Sequence, residues 1–172
     1  MRSPLWFLNR LLIAACMIAL LSPPAAAALP RPGQAAPLFK VITTTGQPAS
    51  LESYRGQVLV VDFFATWCAP CRISIPHLVE MSRKYGKQGL SVLGMSVDED
   101  GERLLKNFAA EHHINYPLAL AGDRVTADFG VRSVPVMFVV DKKGAVAEVY
   151  RGFSTDISRS LEQTVKRLLA EK

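Results

Sequence analysis

The sequence lacks an internal repeat and a long run of lysine and arginine, and its apolar N-terminal segment is shorter than a typical membrane-spanning helix. Its N-terminal apolar segment, residues 11–21, has 11 residues, whereas a membrane-spanning helix needs about 20. The net charge of +5 falls to +3 when Arg2 and Arg10 are set apart with the N-terminal segment. A mild positive charge without clusters gives no support to nucleic-acid binding. The composition, 49% hydrophobic and 20% charged, is typical of one globular domain.

The N-terminal segment, residues 1–28, has the order of parts that is typical of a secretory signal peptide. A positive stretch precedes the apolar one, and small residues follow it up to Ala27 and Ala28. Cleavage near Leu29 would leave a mature chain long enough to bury one core. We expect residues 29–37, which are rich in proline, glycine and alanine, to be a linker. Residues 38–172 are expected to form the domain.

Two alternatives to a cleaved signal peptide stay open. One is that the segment is retained as an anchor in the inner membrane. The other is that the chain is lipidated at Cys16, because residues 13–16 resemble a lipoprotein processing box. All three interpretations place the domain in the periplasm or another extracytoplasmic compartment, and two of them tether it to a membrane through its N-terminus.

Cysteine is scarce, and its spacing excludes a structural disulfide framework. Of the three cysteines, Cys16 lies in the signal segment, which leaves Cys68 and Cys71 for the domain. Structural disulfides stabilise a fold by closing long loops, and a loop with two intervening residues constrains almost nothing. In an exported protein this spacing indicates redox chemistry or metal binding.

Apolar runs that alternate with amphipathic segments predict an α/β fold around a mixed sheet. The run at residues 58–64 is interrupted only by Asp62 and is typical of a buried central strand. Strands are predicted at residues 38–43, 58–64, 90–97, 136–140 and 145–150, and helices at residues 69–85, 104–112, 125–129 and 156–170.

Cys68 is predicted to lie at the N-terminus of a helix, just after the central strand. Free N–H groups and the helix dipole favour an anion at this position, and the thiolate is the reactive form of cysteine. Pro70 falls in the first turn, where its missing N–H costs little. Cys71 lies on the same turn, close enough to attack a mixed disulfide on Cys68. Cys68 is therefore the predicted nucleophile and Cys71 the resolving thiol.

Three further residues fit this interpretation. Burying the carboxyl of Asp62 is costly and raises its pKa, which makes it a candidate proton acceptor for Cys71. Pro76 should kink the helix after its first turn. Pro135 follows Val134 in an extended segment, where a cis peptide bond would turn the Val134 backbone toward the cysteines.

The sequence Trp67-Cys68-Ala69-Pro70-Cys71, together with Asp62, Pro76 and Val134-Pro135, resembles the thioredoxin superfamily. Its details are similar to the periplasmic TlpA/ResA/CcmG-like (redoxin) branch of thiol–disulfide oxidoreductases. The resemblance implies a thioredoxin-like three-layer sandwich, a mixed central sheet flanked by helices, with extra N-terminal strands and a central insertion at residues 98–132. It also implies a redox-active Cys68–Cys71 disulfide, a cis Pro135, and supporting roles for Trp67, Pro70, Pro76 and Val134.

Two positions depart from that branch. Its members commonly have Glu three residues after the second cysteine, where this chain has Ser74, and many have a neutral residue at the position of Asp62, which resembles thioredoxin itself. A role in cytochrome c maturation and a more general reductase are therefore equally supported.

Other chemistries fit the sequence less well. A closed zinc site needs two more ligands, and His77, His112 and His113 are more typical of helix surfaces. Haem attachment needs His after the second cysteine, where Arg72 stands. A peroxiredoxin-like thiol peroxidase is the nearest rival, but Val61 and Ala65 occupy the positions of its Pro and Thr. A periplasmic disulfide oxidant is the other alternative.

Electron flow toward clients is predicted from the dipeptide between the cysteines. Ala69-Pro70 resembles the pattern of reducing members and lacks the His of strong oxidants. We expect disulfide-containing client proteins and a membrane thiol donor as partners. No cofactor or metal is expected, because the cysteine pair carries the electrons itself.

Overall fold

The computed structural model describes residues 29–99 and 101–171, which fold around a five-stranded mixed sheet. The strands are β1 (Lys40–Ile42), β2 (Pro48–Ser50), β3 (Val58–Phe64), β4 (Leu90–Ser96), β5 (Leu118–Leu120), β6 (Val136–Val140) and β7 (Val146–Arg151). The α-helices are α1 (Ala69–Tyr85), α2 (Glu102–Glu111), α3 (Gly122–Asp128) and α4 (Thr155–Ala170). Short 3-10 turns occupy Leu51–Tyr54 and Gly86–Gln88.

The sheet has the strand order β5-β4-β3-β6-β7. Strands β3, β4 and β5 run parallel to one another, whereas β6 and β7 are antiparallel to their neighbours. Strand β3 lies at the centre, and all seven of its residues are buried. The β1–β2 hairpin forms a separate two-stranded sheet. The carboxyl end of β3 therefore lies at the middle of one sheet edge, where α1 begins.

Alternate residues of β3 pack into two different apolar clusters. Val58, Val60 and Phe64 share a cluster with both domain cysteines and with side chains of α1, α2 and α4. Leu59, Val61 and Phe63 belong to the cluster on the opposite face. There the Phe129 ring lies 5.1 Å from Phe63 and 5.0 Å from Phe138 between centroids. The two covered faces make three layers.

The predicted fold class, a thioredoxin-like three-layer sandwich, is confirmed, and most predicted elements are present. Strand β3 and helix α1 have the predicted bounds, and Ser154 caps α4 through its hydroxyl. No strand was predicted at residues 48–50 or 118–120, where β2 and β5 lie, and α3 begins at Gly122 rather than near Val125. The buried face of α1 includes Met81 and Tyr85 near its C-terminus.

The segment expected as a linker, residues 29–37, lies against the domain. Ala35 forms an isolated bridge with Ala145, and the Gly33 N–H donates to the Val146 carbonyl at 2.8 Å. Ala36 is buried in the cluster opposite the cysteines. None of the helices in residues 29–99 and 101–171 is long and apolar enough to cross a membrane. The proposed signal peptide, including Cys16, lies outside the described residues.

Candidate active site

Cys68 and Cys71 form a disulfide at the N-terminus of α1. Their sulfurs are 2.12 Å apart and their Cα atoms 5.3 Å apart. Cys68 is the N-cap residue, with an extended backbone (φ −81°, ψ 108°), and its Sγ accepts a hydrogen bond from the Cys71 N–H at 3.2 Å. Cys71 is completely buried, whereas Cys68 keeps 5% of its surface accessible. An incoming sulfur can therefore reach Cys68 first.

The backbone before the helix makes a tight turn that places Cys68 at the cap. The Cys68 N–H donates to the Ala65 carbonyl at 3.1 Å, and the Arg72 N–H donates to the Cys68 carbonyl at 3.2 Å. Pro70 lies in the first helical turn, where its lack of an N–H leaves no broken hydrogen bond. Trp67, which directly precedes Cys68 in the chain, is 69% exposed.

Val134 and Pro135 lie on a loop that packs against the same cluster as the cysteines. The Val134–Pro135 peptide bond is cis, and Val134 is half-buried against the cluster that contains Cys68 and Cys71. The Gly152 N–H donates to the Pro135 carbonyl at 2.8 Å, which ties the loop to β7. Val134 also packs against the apolar cluster on the opposite face, so the predicted cis-proline loop lies where the two clusters meet.

Asp62 is fully buried in the middle of β3. It lies between Val60 and Phe64 on the alternating pattern of the strand, which places it on the face that α1 and Cys71 cover. Neither of its carboxyl oxygens has a hydrogen-bond partner among the described residues. Burial raises the pKa of Asp62 to about 7, so the group exchanges its proton near neutral pH.

A glycine makes room beside Asp62. Gly94 on β4 is paired with Asp62 on β3. A Cβ at Gly94 would lie 2.4 Å from Leu118 Cδ2 and 3.4 Å from Tyr116 Cε2. Burial, and secondarily the Asp62 charge, raise the pKa of the Tyr116 hydroxyl well above its ordinary value. The surroundings of Asp62 are therefore apolar and aromatic.

Other candidate residues have ordinary structural roles. Ser74 is buried, and its hydroxyl donates to the Cys71 carbonyl at 2.8 Å. His77 is half-buried, with Nδ1 3.3 Å from the Ser158 hydroxyl. Pro76 lies inside α1, which continues through it to Tyr85. Across the described parts of the chain, no three His, Cys, Asp or Glu side chains cluster as metal ligands would.

One polar group beside Cys68 was not predicted from the sequence. Thr66, in the turn before Cys68, is hydrogen-bonded to the carboxylate of Asp98. Asp98 follows β4 and looks in the sequence like part of the acidic start of α2. Only the parallel pairing of β3 with β4 brings the ends of these two strands together.

The AhpC/TSA family model matches residues 32–149, which is more than half of the chain. The chain belongs to the AhpC/TSA family. Among its relatives, the thiol-disulfide oxidoreductase ResA of Geobacillus kaustophilus is 32% identical to this chain over 133 residues, which are 76% of each chain. The thioredoxin-like protein YneN of Bacillus subtilis is 29% identical over 132 residues, again 76% of each chain.

Solved structures agree with these relatives. The crystal structure of a thiol:disulfide interchange protein of the thioredoxin family from Chlorobium tepidum is 31% identical to this chain and has a TM-score of 0.72. The alignment covers 83% of this chain and 100% of the Chlorobium protein. The resemblance to the thioredoxin superfamily and its redoxin branch is thereby confirmed.

The raised pKa of Asp62 predicts how stability depends on pH. Between about pH 4, where an unfolded Asp ionises, and about pH 7, the native protein holds a proton that the unfolded chain releases. The free energy of unfolding should therefore fall as pH rises through this window, at up to about 1.4 kcal/mol per pH unit from this group. Asp62→Asn should remove that fall when urea unfolding of the oxidised protein is measured from pH 4 to 8.

The matched control is Asp123→Asn, which changes an exposed carboxyl and should keep the wild-type slope. An unchanged slope in Asp62→Asn would show that Asp62 has an ordinary pKa.

Proposed function

We propose that this thiol–disulfide oxidoreductase reduces disulfide bonds in exported client proteins, with Cys68 attacking and Cys71 resolving. The observation that carries the proposal is the cysteine pair at the N-terminus of α1, in which only Cys68 has accessible surface. A thiolate at a helix N-terminus is stabilised by the free N–H groups there, so the accessible sulfur is also the more reactive one.

The first step forms a mixed disulfide. The Cys68 thiolate attacks one sulfur of the client disulfide, a bond forms between Cys68 Sγ and that sulfur, and the other client sulfur leaves as a thiolate. Burial protects Cys71 from competing attack at this stage. The Trp67 side chain, 69% exposed, offers the client an apolar surface beside Cys68.

The second step releases the client. Cys71 loses its proton and attacks Cys68 Sγ, so the Cys68–Cys71 bond forms and the second client sulfur leaves. Asp62 is the proposed proton acceptor, because it lies on the same face of the sheet and its pKa is near 7. An acceptor with a pKa close to the working pH is the most effective one.

The complete cycle oxidises the enzyme and reduces the client, so a dithiol donor must restore Cys68 and Cys71. We propose a membrane thiol relay as the donor, because the expected signal peptide places the domain outside the cytoplasm. A periplasm is kept oxidising, and free reductant is scarce there. The same N-terminal segment, if retained or lipidated, would hold the domain beside that donor.

The rival functions lack a supporting observation. A peroxidatic site would need Thr or Ser where the chain has Ala65, which is buried and has no hydroxyl. A strong oxidant would be expected to have a His between the cysteines, where the chain has Ala69-Pro70. The choice between cytochrome c maturation and general disulfide reduction depends on the client, since Ser74 is engaged with the backbone and supplies no second carboxyl.

Trapping of clients tests the proposed order of attack. Cys71→Ser should accumulate mixed disulfides between Cys68 and client proteins in cells, because the resolving thiol is missing. Non-reducing gels and mass spectrometry identify the partners. Apocytochromes among them would assign the protein to cytochrome maturation, and a broad set of exported proteins would indicate general reduction.

Cys68→Ser is the matched control and should trap nothing. If Cys68→Ser traps clients and Cys71→Ser does not, the two roles are reversed.

The direction of electron flow is tested by the reduction potential of the Cys68–Cys71 pair. Dithiol proteins span from about −270 mV for thioredoxin to about −120 mV for the oxidant DsbA. We expect a value at the reducing end, below about −200 mV, when the full chain is equilibrated with glutathione or dithiothreitol buffers. A potential above about −150 mV would make the protein an oxidant.

A further inference from the structure

The proposed nucleophile, Cys68, lies at the end of a four-residue turn. Hydrogen bonds to a residue outside the turn hold its conformation. Residues Ala65 to Cys68 form the turn, closed by the hydrogen bond from the Cys68 N–H to the Ala65 carbonyl at 3.1 Å. Thr66 and Trp67 are its central residues. We propose that Asp98 is a positioning residue for Cys68, which holds this turn through Thr66 and so fixes both the sulfur and the indole that meet the client. The inference rests on the proposed function.

The Asp98 carboxylate accepts every polar hydrogen that Thr66 can donate. The Thr66 N–H lies 3.0 Å from Oδ2 and 3.3 Å from Oδ1, and the Thr66 hydroxyl donates to Oδ1 at 2.9 Å. Hydrogen bonds to a charged acceptor are about twice as strong as those between neutral groups. The carboxylate thus accepts hydrogen bonds from both the backbone and the side chain of Thr66.

The carboxylate is itself held by the sheet. The hydroxyl of Ser96, a completely buried residue at the end of β4, donates to Asp98 Oδ2 at 2.5 Å and accepts from the Asp98 N–H at 2.9 Å. The neighbouring Val97 N–H donates to the Phe64 carbonyl at 2.9 Å. Hydrogen bonds therefore connect the turn before Cys68 to the end of β4, in addition to its covalent connection to the end of β3.

Asp98 has no other structural task that would explain its contacts. Helix α2 begins at Glu102, with Gly101 at its N-cap and no side-chain cap, so Asp98 does not cap it. Among the ion pairs of the described residues, none includes Asp98. All of its partners are neutral donors that belong to the two strand ends. Its carboxylate oxygens therefore serve as acceptors for the turn.

The test compares Asp98→Ala with two controls in the full chain. Asp98→Asn keeps an amide oxygen that can accept from Thr66, and Glu99→Ala removes an exposed carboxylate one residue further on. All proteins carry Trp6→Phe, which leaves Trp67 as the only tryptophan. The two readouts are the second-order rate constant of the pre-reduced protein with insulin disulfides and the fluorescence anisotropy of Trp67, both measured well below the melting temperature.

Asp98→Ala should slow the reaction with insulin about tenfold, since small misplacements of reacting groups have effects of this size or larger. It should also lower the anisotropy of Trp67, which a merely stabilising residue would leave unchanged. Asp98→Asn should restore most of both values, and Glu99→Ala should match the wild type. If Asp98→Ala does not fold, Thr66→Val, which removes one donor, should show a smaller change in the same direction.

Three results would overturn the proposal: wild-type rate and anisotropy in Asp98→Ala or in the folded Thr66→Val, an equal loss in Glu99→Ala, or an Asp98→Asn protein as slow as Asp98→Ala. A wild-type protein that fails to reduce insulin would instead contradict the proposed function. The anisotropy comparison still tests the positioning role in that case.

Discussion

The turn between Phe64 and Ala69 brings the open N-terminus of α1 to the sulfur of Cys68, and the chemistry of the site depends on this placement. Cys68 is extended and Cys71 is helical, so the two sulfurs meet across a single turn, and of the two residues only Cys68 keeps a small accessible surface. The seven buried residues of β3 fix where the strand ends, and the sheet and its covering helices thereby determine the approach to Cys68, the proposed nucleophile.

The same packing gives Asp62 its unusual state. Strand β3 alternates between two apolar faces, and the buried Asp62 carboxyl on the cysteine face has no hydrogen-bond partner among the described residues. Gly94 leaves the space that Leu118, Phe64 and the Tyr116 ring fill beside it. The fold thus tolerates a carboxyl whose ionisation is unfavourable for stability, and we propose that this group takes the proton from Cys71.

Much of this could be predicted from the sequence, because the signals are local. The apolar run of β3, the cap at Cys68 and the periodicity of α1 and α4 need no tertiary information. Strand β5 has only three residues and is defined by its pairing with β4, so periodicity could not show it. Contacts between distant segments were likewise missed: the attachment of Ala35 to Ala145, and the hydrogen bonds from Thr66 to Asp98 across 32 positions.

The central claim is that the helix N-terminus activates Cys68 and that burial protects Cys71. Alkylation of the fully reduced protein by iodoacetamide, followed by mass spectrometry from pH 5 to 9, tests it most directly. We predict that Cys68 alone reacts rapidly at about pH 6, well below the ordinary thiol pKa of about 8.5, while Cys71 stays unmodified. Equal rates at both cysteines, or a Cys68 that reacts only above about pH 8, would contradict the account.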